Sequence, residues 1–405
     1  MKRKYNIFIL ILLIGSISFL SACNLTPDIQ ANKNGTNPLE EIEPTNMEEE
    51  NSKEEIVENK VVTGTILAAG DIMFHIPQVK SAYDSNSETY DFRDVFKYVK
   101  KYIDSSDLSL ANFETVTAGG DVKYSGFPNF NSPKETLEAI KYSGFDILST
   151  ANNHCLDQKK NGLINTIDSI EEQGMKNIGT YKETNPPIMI EEINQIKIAL
   201  LSYTYGFNGM EYTLTDEEQK YMVNKIDEDK IKEDIGKAKD LGVDTVVVFI
   251  HWGNEYQREP SEEQLELGRK MVEWGANIVF GSHPHVIQKT EIINHDGKDN
   301  FIIYSMGNFL SNQCEKNVDN KYTEDGVMVK VQLEKDLSKG ETIIKDISYI
   351  PTWVRRYKDN NKLKYEIIPI EDFLKDEELQ SKIEKSIIMR MKESYDDTIE
   401  VMTEY

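Results

Sequence analysis

The chain has 405 residues, a formal net charge of −24 at pH 7 and 39% hydrophobic residues. This length allows one large domain or two ordinary ones, and the hydrophobic content is enough for a packed core. The strong acidity argues against a nucleic-acid-binding protein, which needs a basic surface. Three cysteines in so long a chain do not suggest a disulfide-stapled scaffold.

The first 22 residues have the pattern of a signal peptide. Three cationic residues in "MKRKYN" precede the mostly apolar residues 7–20, a stretch shorter than the roughly 20 residues of a membrane-spanning helix. The stretch ends in "LSAC", which resembles the lipobox of bacterial lipoproteins. This resemblance implies that Cys23 is lipidated and holds a lipoprotein on the extracytoplasmic face of the cell membrane. An uncleaved membrane anchor is the alternative.

Residues 23–60 are predicted to form a disordered acidic tether. Residues 24–60 contain ten acidic residues and three lysines, with almost no large apolar side chains. Such a segment cannot bury enough surface to offset the entropy lost when a chain becomes ordered. The folded part is therefore expected to begin near Val61.

Strands alternate with helices of 10–15 residues along the folded part, which indicates an α/β fold with much parallel pairing. The first of these helices is expected to have Ser132 as its N-cap, Pro133 at its first position and Gly144 at its end. Predicted strands include residues 62–71, 196–205, 244–253, 301–309 and 326–334, and predicted helices are residues 132–144, 161–174, 227–242 and 261–275.

The last sixty residues carry no chemical motif. Residues 341–356 predict a further strand, and the segment from about Glu371 to Tyr395 predicts an acidic amphipathic helix. We therefore expect one domain over residues 61–345. A C-terminal strand and helix extension over residues 346–405 is expected to be packed on this domain or appended to it.

Five predicted strands end in loops that carry polar side chains able to bind a metal. In an open α/β sheet, groups at the carboxyl ends of neighbouring strands meet in one crevice. Five of the six histidines lie in these loops, a bias that scattered core histidines would not show. The loops contain "GDIMFH" (70–75), "ANFET" (111–115), "ANNH" (151–154), "HWGNEY" (251–256) and "GSHPH" (281–285).

The candidate metal ligands are one Asp, one Glu, one Asn and three His. This set suits Mn, Fe or Zn, because it is too rich in nitrogen for calcium and lacks the thiolates of structural zinc sites. Six side chains are too many for one ordinary site and predict two divalent metal ions that share a bridging carboxylate. The candidates are Asp71, Glu114, Asn153, His251, His283 and His285.

Together with "YSMGNF" (304–309), these motifs follow the order and spacing of the poly-γ-glutamate capsule biosynthesis protein (CapA/PgsA) family, which the chain resembles over residues 63–312. That family is similar to the calcineurin-like metallophosphoesterase superfamily. The resemblance implies a four-layer α-β-β-α sandwich, in which two mixed β-sheets are flanked by helices and the metal site lies at one sheet edge. It also implies a role in poly-γ-glutamate capsule synthesis or export.

The resemblance further implies a role for each candidate ligand. Asp71 and His285 would hold the first ion, and Glu114 would bridge both ions where the superfamily normally has Asp. The other ligands of the second ion would be Asn153, His251 and His283.

The catalytic residue implied by the resemblance is His154, which would protonate the leaving oxygen or stabilise charge on the transferred group. The superfamily's first motif has a histidine two residues after its aspartate, but this chain has Met73 there. The first ion is therefore short of one ligand. His75 could supply that ligand only if the turn bends it back towards the site.

Other residues near these motifs have two interpretations each. Glu255 could orient an imidazole or be a solvated loop charge. Asn308 is expected to support the site through hydrogen bonds. Cys155 and Cys314 could approach the same edge and form a disulfide outside the membrane, although two free thiols are the favoured expectation.

Two functions from different classes remain. The first is a lipid-anchored, metal-dependent hydrolase of a phosphoester-type bond. The second is a non-catalytic accessory that binds or guides an anionic polymer through the metal site. A polyglutamate-cleaving enzyme is a third, weaker hypothesis. The expected partners are the membrane, membrane-bound poly-γ-glutamate synthase components and the polymer, with no nucleic acid.

Overall fold

The structure is a computed structural model that describes residues 60–403. The predicted signal peptide, Cys23 and residues 23–59 of the predicted tether lie outside the described residues. Within residues 60–403, no helix has both the length and the apolar composition needed to cross a membrane.

The strands of the described chain are, in order, β1 Val61–Ile72, β2 Tyr83–Asp84, β3 Thr89–Tyr90, β4 Leu108–Phe113, β5 Ile147–Ser149, β6 Lys176–Ile178, β7 Met189–Ile193, β8 Ile196–Thr204, β9 Thr245–His251, β10 Ile278–Ser282, β11 Ile287–His295, β12 Lys298–Met306, β13 Asn308–Leu310, β14 Asp325–Asp336, β15 Glu341–Asp359 and β16 Lys362–Pro369.

The α-helices are α1 Ile76–Ala82, α2 Lys100–Ile103, α3 Glu135–Ser143, α4 Lys159–Glu172, α5 Asp216–Gln219, α6 Glu228–Asp240, α7 Glu262–Trp274, α8 Glu315–Val318, α9 Ile370–Lys375, α10 Glu377–Ser381 and α11 Lys385–Thr403. Short 3₁₀ turns cover Arg93–Phe96, Glu211–Thr213 and Lys321–Glu324.

The larger sheet has eight strands, in the order β16-β15-β14-β1-β4-β5-β6, with β13 paired beside β1. Strands β1, β4, β5 and β6 are parallel, whereas β14 runs antiparallel to β1. The register places Asp71 of β1 beside Asn112 of β4 and Asn308 of β13. Three polar side chains from separate parts of the chain are thus neighbours at one end of the sheet.

The smaller sheet has six strands, in the order β11-β12-β10-β9-β8-β7. Its four central strands are parallel, and the edge strands β7 and β11 are antiparallel to their neighbours. His251, the last residue of β9, is flanked in register by Thr204 of β8 and Ser282 of β10. The carboxyl ends of these strands therefore form a second polar edge.

The two sheets face each other across a shared apolar core. Side chains alternate along β1, so that Ile66 and Ala68 enter this core while Leu67 and Ala69 face the other way. Each fully buried aliphatic side chain contributes about 1.5–3 kcal/mol to stability. The smaller sheet contributes to the same core Leu200, Val247, Phe249, Phe280 and Ile303.

Helices cover the outer face of each sheet. Leu67 packs in a cluster that includes Leu137 and Ile140 of α3, and Val248 packs with Ile235 of α6 and with residues of α7. The layers are therefore helix, sheet, sheet and helix. This arrangement confirms the predicted four-layer α-β-β-α sandwich with two mixed sheets.

The prediction for the start of α3 was wrong by two residues. The helix begins at Glu135 with Lys134 before it, because Ser132 is held in the preceding loop. The hydroxyl of Ser132 pairs with that of Thr115 at 2.8 Å, and its amide donates to a backbone carbonyl. Gly144 does end the helix, in a left-handed conformation with φ of 108°.

The C-terminal residues form three helices, where the sequence predicted one between Glu371 and Tyr395. The first of the two breaks lies at Asp376, whose backbone is extended and whose carboxylate accepts a hydrogen bond from the amide of Leu379 at the start of α10. The last helix, α11, packs on β11, β14 and β15. Arg390 of α11 donates to the buried carboxylate of Asp325 at 2.7 Å. The predicted boundary between the domain and the C-terminal extension, at residues 345/346, lies inside β15.

Candidate metal centre

The candidate ligands come from the carboxyl ends of five parallel strands. Asp71 lies near the end of β1, Glu114 follows β4, and Asn153 lies in the loop after β5. The smaller sheet supplies His251 at the end of β9, and His283 follows β10. Apolar strands deliver these polar side chains to one edge because the last residues of each strand leave the core together. All six candidate ligands are buried.

Two glycines allow the backbones to approach closely at this edge. A Cβ at Gly70 would lie 2.0 Å from the carbonyl oxygen of Gly307, beside the hydrogen bond from the Asp71 amide to that oxygen. A Cβ at Gly281 would lie equally close to the carbonyl oxygen of Tyr304, at 2.0 Å. A side chain at either position would displace the strand that precedes a candidate ligand.

The carboxylate of Asp71 is satisfied by protein donors at both oxygens. Oδ1 accepts a hydrogen bond from the Asn112 side chain at 2.8 Å, and Oδ2 accepts one from the His283 amide at 3.3 Å. Nδ1 of His285 lies 3.0 Å from the same Oδ2. When Nδ1 carries the proton, Asp71 fixes the imidazole and leaves Nε2 free to act as a ligand.

Asn112 links both sheets and was missed by the sequence analysis. Its Nδ2 donates to Asp71 at 2.8 Å and to Oε2 of Glu114 at 3.2 Å, and it lies 3.3 Å from Nδ1 of His251. The Asn152 side chain in turn donates to Oδ1 of Asn112 at 3.2 Å. The alternation of side chains along a strand could have identified Asn112, because it lies two residues before Glu114 and so shares its face.

Glu114 lies between the histidines with one oxygen unpaired. Its Oε1 is buried and has no hydrogen-bond partner among the described residues. This atom lies 3.6 Å from Nε2 of His251 and 3.7 Å from Nε2 of His285. Burial, and then the nearby charges of Asp71 and Glu255, raise the pKa of Glu114 well above its usual value.

His251 has polar partners at both ring nitrogens. Its Nδ1 lies 2.9 Å from the hydroxyl of Ser282, and its Nε2 lies 3.0 Å from Oδ1 of Asn153. Burial is the main cause that lowers the pKa of His251 far below its usual value, and the neighbouring His283 and His285 add to it. The ring is therefore neutral near pH 7, as a metal ligand must be.

The "GSHPH" turn holds its two histidines in a strained backbone. The φ values of His283 and His285 are 99° and 58°, in the left-handed region that non-glycine residues seldom occupy. The Nδ1 atom of His283 is buried and has no partner within residues 60–403, and burial lowers the pKa of this ring far below its usual value. The ring of Tyr205 packs on His283 with centroids 4.5 Å apart.

Two overlapping groups of side chains have ligand atoms within 4.8 Å of one another. Glu114, His283 and His285 form the first group, and Asp71, Glu114 and His251 form the second. Glu114 belongs to both, as a bridging ligand would. The grouping differs from the predicted sets, because His285 is grouped with His283 here and Asp71 with His251. The predicted assignment of each residue to one ion stays a prediction.

The donor set fits divalent cations. Two carboxylates and three imidazoles converge in a buried volume, and two acceptor atoms, Oε1 of Glu114 and Nδ1 of His283, have no partner. Leaving a buried polar atom unpaired costs about 1–3 kcal/mol, which a bound cation would offset. Among residues 60–403, no cysteine joins the cluster, which leaves a mixed oxygen and nitrogen coordination shell.

His154 lies beside the cluster and is paired with a carboxylate that the sequence analysis missed. Its Nδ1 lies 2.8 Å from Oδ2 of Asp157, which also accepts the amide of Phe130 at 2.7 Å. The ring of Phe130 packs edge-on against His154 at 4.8 Å. Burial raises the pKa of Asp157 even though the contact with His154 opposes that shift. The spacing of three residues between His154 and Asp157 was the available signal.

The three supporting residues occupy different positions. His75 precedes α1, its Nδ1 accepts the amide of Asn312 at 3.4 Å, and it belongs to neither ligand group. Burial lowers the pKa of His75 to about 4. Glu255 is exposed at the rim, where its charge acts on Glu114. Asn308 is buried beside Asp71, and its Oδ1 has no partner.

The remaining positions singled out from the sequence are Met73, two residues after Asp71, and the two cysteines. Met73 is buried in the turn after β1, so no imidazole is present at that position. Cys155 and Cys314 are both buried and neither forms a disulfide within residues 60–403, which confirms the expectation of free thiols. Burial raises the pKa of Cys155, and the thiol therefore stays protonated near neutral pH.

Comparisons with known proteins agree with the motifs. The model of the bacterial capsule synthesis protein PGA_cap family matches residues 65–313. The capsule biosynthesis protein CapA of Bacillus anthracis is 32% identical over 268 residues, which cover 63% of this chain and 61% of that protein, so this chain matches less than two thirds of that relative. The PGA biosynthesis protein CapA of Bacillus subtilis is 28% identical over 300 residues, which cover 70% of this chain and 72% of that protein.

Solved structures were also compared. A calcineurin-like phosphoesterase, YfkN of Bacillus subtilis, aligns with a TM-score of 0.42 and 14% identity over 84% of this chain and 98% of its own. A phosphatase from Mycoplasma pneumoniae aligns with a TM-score of 0.43 and 15% identity over 72% of this chain and 94% of its own. The family match includes every candidate ligand and covers more than half of the sequence. The chain belongs to the bacterial capsule synthesis protein PGA_cap family.

Proposed function

We propose that the protein is a metal-dependent hydrolase of a phosphoester-type bond, anchored at the extracytoplasmic face of the cell membrane and acting in capsule polymer synthesis or export. One observation carries the proposal. A buried cluster of carboxylates and imidazoles with unpaired acceptor atoms lies beside a histidine that already has a carboxylate partner. This combination supplies both a site for cations and a proton donor.

The ligands expected to hold the ions are the two overlapping groups that share Glu114. Divalent ions, when bound there, would act as Lewis acids on a phosphoryl oxygen and lower the pKa of an attacking water. The carboxylates alone would repel an anionic substrate, because Asp71 and Glu114 are buried close together. Substrate binding is therefore expected to require the metal.

His154 is placed to deliver a proton to the leaving oxygen. Its Nδ1 is engaged by Asp157, so Nε2 is the atom available to a substrate. Asp157 is a positioning residue, because its contact with Nδ1 fixes the tautomer and the orientation of the ring. Phe130 restricts the ring further from the side. General acid catalysis by such a group contributes typically about 10²–10⁴-fold to the rate.

The test is hydrolysis of a generic phosphodiester and a generic phosphomonoester by the full chain in detergent with Mn²⁺. We expect turnover that is lost with a chelator and falls about 10²–10⁴-fold in His154→Ala. His295→Ala is the matched control, because His295 lies at the exposed end of β11. Asp157→Asn is expected to lower kcat with little change in KM, and to shift the pH profile of kcat.

Two outcomes would contradict the hydrolase. Stoichiometric bound metal without any turnover that depends on His154 would remove the catalytic role. Equal activity of His154→Ala and His295→Ala would assign the observed hydrolysis to a contaminant or to another group.

A second candidate is a non-catalytic accessory that binds the anionic polymer through the metal site. Met73 favours it, because the first ion lacks the imidazole that the superfamily places there. In that case, metal would support binding of the polymer without bond cleavage, and His154→Ala would bind as the wild type does.

The lipid anchor at Cys23 is part of the same proposal and is tested separately. Cys23→Ser is expected to move the protein from the membrane fraction to the soluble extracytoplasmic fraction, or to retain an unprocessed precursor. Co-purification with membrane-bound components of a poly-γ-glutamate synthase would test the expected partners. Identical fractionation and processing of wild type and Cys23→Ser would exclude lipidation at this cysteine.

A further inference from the structure

A groove next to His154 has a charge opposite to that of the rest of the protein. It has a volume of about 780 Å³, and we call it the lysine groove. Its side walls come from α1, from β3 and from the loop 119–129. The residues that define it are Lys80, Tyr90, Lys123, Tyr124, Phe127 and Gln158.

The charge of the lysine groove is positive. Lys80 and Lys123 are exposed, and none of the lining residues is acidic. Neither lysine forms an ion pair within residues 60–403, whereas about half of the other lysines there do. The whole chain carries a net charge of −24, so an acidic ligand is repelled elsewhere and attracted here.

The lysine groove is continuous with the candidate active site. Phe127 lines the groove and is 71% exposed, and its ring lies 6.4 Å from that of His154. Gln158 also lines the groove and donates to the carbonyl of Phe130 at 3.0 Å, the residue whose ring packs on His154. A substrate whose leaving oxygen faces His154 would therefore extend along Phe127 into the groove.

The walls of the groove suit a chain with separated charges better than a compact phosphate group. Val79, Val122 and Pro128 are apolar residues among those that line the groove. The two ammonium groups come from different segments, α1 and the loop 119–129, and no arginine lines the groove to form a bidentate clamp. Methylene groups can pack on these walls while spaced carboxylates reach the lysines.

We propose that the lysine groove binds an extended acidic chain of carboxylates, the part of the substrate or polymer that leads away from His154. The assignment of the groove to the leaving-group side of the substrate rests on the proposed hydrolase. Binding of the acidic chain by the groove does not rest on it. The groove thus gives the protein a polymer site that needs no metal, in addition to the metal centre.

The test uses the full chain in detergent, stripped of metal by a chelator, with fluorescently labelled poly-L-glutamate as the probe. The double variant K80Q/K123Q should bind about tenfold more weakly in anisotropy titrations, because each exposed charge contact contributes modestly. The matched control is K232Q/K298Q, which removes two exposed lysines without ion pairs in α6 and β12. Binding to the wild type should weaken as salt rises.

Equal affinities of K80Q/K123Q and K232Q/K298Q for the probe would overturn the proposal, and so would tighter binding of a nucleotide than of the acidic chain at the same groove. If the protein does not hydrolyse phosphoesters but binding of the probe still depends on Lys80 and Lys123, the acidic-chain site is supported and only the proposed hydrolase is contradicted. If the protein hydrolyses a small phosphoester while both double variants bind the probe alike, the proposed hydrolase is supported and binding of the acidic chain by the groove is contradicted. Circular dichroism of each variant will show that the fold is intact.

Discussion

The two sides of the metal cluster differ in how well the protein satisfies them without an ion. Both oxygens of Asp71 have protein donors, from Asn112, the His283 amide and His285. Glu114, by contrast, leaves Oε1 unpaired.

His283 resembles Glu114 in this respect, because its Nδ1 is also buried without a partner. The difference teaches that the Asp71 side is held in place by the protein, whereas the Glu114 and His283 side is completed only by a ligand. A site of this kind costs stability when empty and regains it when a cation binds. The cluster should therefore respond to substitution unequally.

The largest effect is expected at Glu114, which both groups share. Glu114→Gln should weaken Mn²⁺ binding by at least about hundredfold, more than the loss of a residue behind the ligands. Without metal, the same variant should be about as stable as the wild type, because the raised pKa of Glu114 keeps this buried carboxyl group protonated and the amide replaces one neutral group by another. Calorimetric titration and thermal unfolding measure the two quantities. The control is Glu341→Gln, at the exposed start of β15. An unchanged affinity of Glu114→Gln for Mn²⁺ would refute the bridging role of Glu114.

The next largest effect is expected at Asn112, which contacts both sides. Asn112→Leu removes the donor to Asp71 and Glu114 while nearly preserving volume, and should weaken metal binding about 10–100-fold. Asn294→Leu on the exposed β11–β12 hairpin is the control. If a two-site titration shows a change only in the weaker metal-binding event, Asn112 supports one side of the metal cluster alone. That result would contradict the prediction.

Metal affinity should rise with pH because of Glu114. Burial raises the pKa of this carboxyl group, so a cation must displace its proton, and the affinity falls as pH drops. His251 and His283 have lowered pKa values and compete little above pH 6.5. One displaced proton corresponds to about tenfold in affinity per pH unit. Titrations in buffers of different ionisation enthalpy count that proton, and a pH slope that persists in Glu114→Gln would assign it elsewhere.

The smallest effect is expected from adding the missing ligand. Met73→His places an imidazole two residues after Asp71 and should strengthen the weaker binding event about threefold, within the range of an imperfectly oriented ligand. Met73→Leu is the control for volume. Met73→His should not alter the affinity of the stronger metal-binding event. A gain equal in Met73→His and Met73→Leu would show that packing, and not coordination, is responsible.

Much of the candidate site was predictable because strand ends obey simple rules. His251 follows five apolar or β-branched residues, and Asp71 follows a buried strand, so both were expected at one sheet edge. The contacts behind the ligands were not predicted. Asn112 and Ser282 act through hydrogen bonds to Asp71 and His251 on neighbouring strands, and such bonds depend on distances between strands that no local pattern encodes.

The "GSHPH" segment shows the same division. Its sequence determined that two histidines follow β10, but the left-handed backbone at His283 and His285 is imposed by contacts with β1 and β9. The resemblance also implied that His285 and Asp71 serve one ion. Nδ1 of His285 lies 3.0 Å from Asp71, and His285 is also grouped with His283 and Glu114, so the assignment to one ion stays a prediction.

The sequence by itself determined the α/β alternation, the five polar loops and the residue types suited to cations, since each depends on local periodicity or on strand ends. Tertiary structure alone decided that Oε1 of Glu114, between two histidines, has no partner among the described residues, and that Asn112 contacts both Asp71 and His251. It also decided that Lys80 and Lys123, more than forty residues apart, line one groove. These features depend on the packing of two sheets against each other, which brings distant residues within hydrogen-bond reach.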